Sequence, residues 1–182
     1  MTDAACALLK KESAVPSYIL SLKRARQKFS DLEAWMLSAE ARQLPISDVE
    51  REQERQGREA LRLLLQAHVE ARGTGDLGPV IVTETETRTH RRRQVCHVTS
   101  IFGDIRVDRT GYGAEGRDSL HPLDEALELP RRAPTYEVQR RVAKKALQGP
   151  FDEAIGHLKE ATGVSLPKRT AEQIVKEAAQ DF

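Results

Sequence analysis

The run VTSIFGDIRVDRTGYGAEGRDSLHPLDEALELP, Val98–Pro130, decides the fold. Val95–Ile101 has the composition of a strand, and Ile105–Arg109 of a second. Phe102-Gly103-Asp104 between them is the expected tight turn. Alternation then sends Ile105 and Val107 to a core face and Arg106 and Asp108 to water. Val95 and Ile101 are expected on that same core face. Gly111, Gly113 and Gly116 mark a loop, and His121-Pro-Leu-Asp124 leads to a short turn near Ala126–Leu129, closed by Pro130.

Downstream, the apolar period changes from two to that of a helix. Val138, Val142 and Ala146 stripe a helix over Thr135–Leu147, which Gly149-Pro150 ends. Phe151, Ala154, Ile155 and Leu158 stripe a second over Phe151–Thr162, closed by Gly163. A third starts near Ser165 as N-cap, with Pro167 tolerated in the first turn. Ala171, Ile174, Val175 and Ala178 make its buried face, and the chain ends at AAQDF.

Upstream, residues 1–16 look frayed. Ile19, Leu22, Phe29, Leu32 and Met36 predict a helix from Ser17 to about Arg42, with a restart at the capping box Ser30-Asp-Leu-Glu33. Leu44-Pro45 breaks it, and a second capping box, Ser47-Asp-Val-Glu50, opens a helix over Asp48–Arg72. Leu61, Leu64, Leu65, His68 and Val69 form its apolar stripe, with His68 packed there. Its Val49–Glu59 portion is almost wholly polar, so it is solvated or pairs with another helix. Gly73–Gly78 is a linker. Val80–Val82 reads as a strand that TETETRT extends, and Arg91–Arg93 separates it from the hairpin.

These segments predict an α+β chain in three parts. A helical arm spans 17–78, a small antiparallel β unit 79–130, and a helix-turn-helix-like three-helix domain 131–182. With aromatics at only 4%, the core is expected to be aliphatic. No apolar run approaches the roughly 20 residues of a membrane span, and the N-terminus lacks the cationic start of a signal peptide. Cys6 and Cys96 lie far apart in sequence, and the simplest reading is a reducing cytoplasm.

A net charge of +1 carries no global nucleic-acid signal, but it hides a gradient. Asp31–Glu59 holds eight acidic and four basic residues, a net of −4. Arg88–Arg117 holds seven Arg against three acidic residues, a net of +4. Arg131–Phe182 holds ten basic against seven acidic residues, a net of +3. An anionic partner would dock on the second half.

Two constellations fit such a partner. Thr162-Gly-Val-Ser165 followed by Lys168-Arg169-Thr170 supplies the parts of a helix-turn-helix: a glycine turn, an apolar residue after it, and polar side chains opening the second helix. The turn is about two residues longer than in the short bacterial form. Lys168 and Arg169 sit where a helix N-terminus meets phosphates or base edges, and Thr170 can bond either. An ordinary three-helix bundle with a solvated basic end has the same pattern. The second constellation is RTHRRR, Arg88–Arg93. Arg88, Arg91, Arg92 and Arg93 at a hairpin turn can grip phosphates, each neutralised phosphate steepening the salt dependence by about 0.9 in log–log slope. The plainer alternative is a solvated loop that keeps a strand edge from aggregating.

No catalytic or metal site is expected. His90, Cys96, His97, His121 and His157 lack the paired spacing of zinc ligands. No nucleophile-elbow, P-loop or zinc-helix motif occurs, and no cofactor is implied.

The run from Val98 to Pro130 continues through FDEAIGHLKEATGVSLPKRTAEQIVKEAAQDF and is preceded by GREALRLLLQAHVEAR at Gly57–Arg72. Together they resemble the N-terminal region of ISKra-type insertion-sequence transposases, in order from Phe29 to Phe182. The resemblance implies a bacterial protein that binds the double-stranded DNA of its element's ends. Cutting and joining would fall to metal-binding carboxylates of an RNase H-like domain beginning after this chain, and no position here matches one. Arg109–Gly113 and Ser119–Asp124 carry the match to the family's N-terminal fold, and Pro167–Thr170 the match to its DNA-recognition segment. The chain departs at Arg131-Arg-Ala-Pro-Thr-Tyr136, where the family has a Tyr-Ser-His-Gly-like segment, and Pro134 there alters the start of the first tail helix.

The expected function is therefore recognition of element ends without catalysis. The chain would be a natural truncation, a domesticated remnant or a fragment. The alternative is an interaction module, a truncated remnant acting as a regulator, with Asp48–Arg72 pairing a homodimer.

Overall fold

A computed structural model describes residues 15–83 and 86–179. Of the stretch expected to fray, residues 1–16, residues 1–14 (with Cys6) lie outside the described residues, as does the tail from Gln180. Within them the chain is α+β. The elements are α1 (Ser17–Met36), α2 (Ile46–Ala71), β1 (Ile81–Val82), β2 (Thr87–Arg88), β3 (His90–Ser100), β4 (Gly103–Gly113), α3 (Pro122–Ala126), α4 (Tyr136–Ala146), α5 (Phe151–Thr162) and α6 (Lys168–Ala178). β1 pairs antiparallel with β2, and β3 with β4. No described helix is long and apolar enough to cross a membrane.

α1 and α2 form a hairpin around the 3-10 turn Ala41–Gln43. α1 runs through Ser30 without restarting, so the first capping box does not act as one. The second does not either. Pro45 fixes φ at −56° and α2 begins directly after it, leaving Ser47 inside the first turn. α2 buries Gln56, Ala60, Gln66, Ala67 and Val69. His68, expected in the packed stripe, is exposed, because the buried residues lie on other faces of the turn. Leu61 and Leu64 of the same stripe also remain 45% and 44% exposed.

β3 and β4 make one long ribbon. The turn is Ile101-Phe102, with Ser100 opposite Gly103, one residue earlier than the sequence suggests. That slip reassigns a face, because side chains alternate along a strand. Cys96 and Val98 stand opposite Val107 and Ile105 on the core side, while Val95, opposite Asp108, is 46% exposed. Ile105 and Val107 are buried as expected. Arg91–Arg93 do not separate two elements: they lie inside β3. Gly111 and Gly113 lie inside β4 rather than in a loop. At Gly111 a side chain would come within 2.9 Å of His121 Nε2, so a larger residue there would have to displace the His121 ring.

Two cores result. Val69, Val98, Ile105, Val107 and Leu123 join α2, the ribbon and α3. Val138, Val142, Leu158, Val164, Leu166, Ala171 and Ile174 hold α4, α5 and α6 together, with Ile101 from the ribbon's turn packed against them. Each fully buried Val, Leu or Ile contributes about 1.5–3 kcal/mol. The second core is therefore a substantial one for a unit of three short helices.

The outer edge of β4 is closed by side chains and loops. Arg62 donates to Asp104 O at 3.3 Å, Gln66 pairs with both backbone groups of Arg106, and Thr110 N–H donates to Thr74 O at 2.8 Å. Tyr112 exchanges backbone bonds with Leu120 at 2.8 and 2.9 Å. Among the described residues, the outer edge of β3 finds backbone partners only at Thr99, which bonds Ala133 O at 2.7 Å and Thr135 N–H at 2.9 Å. This contact hangs the helical unit on the ribbon, because Thr135 then caps α4, its Oγ1 accepting from Val138 N–H at 3.4 Å.

Candidate nucleic-acid interface

The sequence places a helix-turn-helix at α5–α6, and these helices are joined by an unusual turn. Gly163 ends α5 at φ +71°, a left-handed conformation that glycine adopts without strain. Thr162 Oγ1 donates to Leu158 O at 2.7 Å and accepts from Val164 N–H at 3.2 Å, which holds the helix end. The chain then runs extended, with Val164 and Leu166 buried and Ser165 and Pro167 exposed. The two extra turn residues thus supply core side chains. Ser165 is not the cap expected from sequence: α6 begins at Lys168, and Pro167 occupies the cap position. From the arm, Arg58 braces the turn, its guanidinium 2.7 Å from where a Gly163 side chain would begin.

The first turn of α6 faces solvent. Lys168 and Arg169 are exposed and Thr170 is half-buried, while Ala171 and Ile174 on the opposite side are in the core. Lys168 Nζ bonds Asp152 Oδ2 at 2.7 Å, and that bond raises the lysine's pKa. Both partners are more than half exposed, so solvent screens the pair, which adds little and is free to exchange for a phosphate. Arg169 has no ion pair among the described residues.

A second basic surface lies on α4, which sequence reading passed over although RRVAKK is plain in it. Arg140, Arg141, Lys144 and Lys145 line a cleft of about 340 Å³ against α5, with His157 on the facing wall. Glu137, one turn earlier, bonds Arg140 at 2.8 Å and Arg141 at 2.9 Å. Those two bonds lower its pKa to about 2. Lys144 and Lys145 have no ion pair among the described residues.

The Arg88–Arg93 cluster is divided. Arg88 is only 9% exposed. Its Nη1 donates to Tyr112 O at 2.8 Å and Asp118 O at 2.6 Å, and it also pairs with Glu86. It ties the β1–β2 hairpin to the ribbon and presents no group to a partner, contrary to the expected backbone grip. Arg91 pairs with Asp76 at 3.1 Å and Arg93 with Asp108 at 2.7 Å, both at the surface. Arg92 is exposed and without an ion pair among the described residues. These arginines stand along the open edge of β3, whose outward amides are further donors of the kind phosphates accept. The same edge runs on to Thr99 and the start of α4, about 20 Å away at a strand's rise per residue. No hydrogen bond or ion pair joins Arg88–Arg93 to Lys168–Thr170 among the described residues.

No group of three or more metal-ligating side chains comes together among the described residues. His121, one of the histidines considered as a ligand, instead meets Gln94 Oε1 at 3.1 Å. No family model, curated protein or solved structure matches the chain.

Proposed function

We propose that the chain binds double-stranded DNA through its C-terminal helical unit, as the end-recognition part of a transposase similar to the ISKra type. In this role it performs no phosphodiester chemistry of its own. The supporting observation is the first turn of α6. It presents Lys168 and Arg169 at an exposed helix N-terminus, buttressed by a buried face and a braced turn. Backbone amides and the positive end of the helix dipole favour an anion there, and the two cations add to it. Arg140, Arg141, Lys144 and Lys145 widen the basic surface, and Arg91, Arg92 and Arg93 follow the backbone further along. A bacterial cytoplasm is the setting this role implies.

Fluorescence anisotropy with duplex from the element's ends, against random duplex of equal length and across a salt series, tests the proposal. Element-end DNA is expected to bind more tightly. Replacing Lys168 and Arg169 together with Ala should weaken binding at least about tenfold and flatten the log–log salt slope by about two. Equal affinity for both duplexes, unmoved by the double replacement, defeats it.

A further inference from the structure

α1 packs chiefly along α2, burying only Ser21, Ala25 and Leu32 of its twenty residues. Beside that seam runs an open groove of about 1010 Å³. Its floor is made of small residues, Ala25, Gly57 and Ala60, and its ridges are Phe29, Leu61 and Leu64. The three ridge side chains are 56%, 45% and 44% exposed. Three large apolar side chains side by side on a helical face mark a docking surface rather than scattered exposure.

We propose that the occupant is a second copy of this chain, the two hairpins docking about a two-fold axis into a four-helix bundle. The charges on the rim select this occupant. Glu33 stands towards the α1–α2 turn, and Arg26 lies seven residues earlier, about 10 Å along the helix. Glu50, near the start of α2 and so also near the α1–α2 turn, lines the groove as well, and none of the three has an ion pair within the chain among the described residues. An acidic partner would satisfy Arg26 and repel Glu33, and a basic partner the reverse. A copy related by an axis beside Phe29 satisfies both ends, setting Arg26 of each protomer against the acidic end, Glu33 with Glu50, of the other. The shape follows the same symmetry. A side chain built at Gly57 would meet nothing within 4 Å, so the hollow there is free to receive a bulky side chain such as Phe29 from the facing copy.

Sedimentation equilibrium on the full chain, from micromolar to millimolar, reads the result. The apparent mass is expected to rise from 20.4 kDa towards twice that value. Phe29→Glu should raise the dissociation constant at least about tenfold. Gly57→Leu should do the same by filling the hollow, while leaving α2 intact by circular dichroism. Arg26→Glu and Glu33→Arg should each weaken the dimer, and the two together restore it. A mass of 20.4 kDa throughout overturns the proposal, as does a dimer indifferent to Phe29→Glu and Gly57→Leu. DNA binding by the Phe29→Glu monomer is measured separately, so either proposal can fail without the other.

Discussion

The Gln66 carboxamide forms a two-bonded pair with the backbone of Arg106, donating to its carbonyl at 2.8 Å and accepting from its N–H at 2.8 Å. A side chain here does what a neighbouring strand would do for the exposed edge of β4. The same Nε2 also lies 3.0 Å from Glu70 Oε1, and Glu70 Oε2 accepts from Ser21 Oγ at 2.9 Å. One polar chain therefore fastens both arm helices to the ribbon. Gln66→Leu should destabilise the fold by about 2 kcal/mol, since it strands a largely buried donor and acceptor as well as losing the bonds. Urea unfolding monitored by circular dichroism checks this.

Arg109 and Asp124 form an ion pair between β4 and α3, each about a fifth to a quarter exposed. Arg109 Nε and Asp124 Oδ1 are buried without a hydrogen-bond partner. Half of the pair is thus imperfectly compensated, and the attraction offsets a real desolvation cost. Asp124→Asn should cost about 2 kcal/mol, between the values for exposed and fully buried pairs, because it leaves the Arg109 charge unmatched. Replacing both, Arg109→Met with Asp124→Leu, should recover most of that loss. Thermal melts of the unaltered chain, Asp124→Asn and the double variant check both expectations.

His121 packs under Gly111 and has its pKa lowered, first by burial and then by the nearby Arg109 charge. Between the folded value and the ordinary value near 6.5, the unfolded chain binds more protons than the folded one. Stability should therefore fall as pH drops below about 6.5 and level off once the folded His121 is itself protonated. His121→Gln should remove that part of the pH dependence. In an NMR titration, a His121 midpoint at or above the ordinary value would contradict the assignment.

Glu137 holds Arg140 and Arg141 on α4. Its pKa of about 2 means the bonds persist down to strongly acidic solution and weaken only as pH falls through that region. Since all three side chains are well exposed, the effect on stability is small. The effect on binding should be larger: Glu137→Gln removes a negative charge beside the basic cleft and releases both guanidinium groups. Affinity for any duplex is expected to rise several-fold and the salt slope to steepen. Anisotropy with random DNA is the check.

The helices of the tail were legible because each is bounded by an unambiguous signal. Thr135 caps α4, Gly149-Pro150 separates α4 from α5, and Gly163 ends α5. The ribbon was legible as a hairpin but not in register. Phe102-Gly103-Asp104 has the stronger turn composition, yet the hairpin closes at Ile101-Phe102, because that register turns Val98 and Ile105 together into the core and packs Ile101 against the helical unit. Capping boxes misled at Ser30 and Ser47, where an uninterrupted helix and Pro45 decided instead. The fate of Arg88 was not readable from RTHRRR. Its burial depends on Tyr112 and Asp118, distant in sequence, offering carbonyls to its guanidinium.

The most direct test of DNA recognition is to follow backbone amide and arginine side-chain NMR signals while titrating the full chain with element-end duplex. The largest shifts are expected at Lys168–Thr170, with a second group at Arg140–Lys145, and a silent Arg88. Shifts absent from α6, or equal for element-end and random duplex at every position, would contradict it.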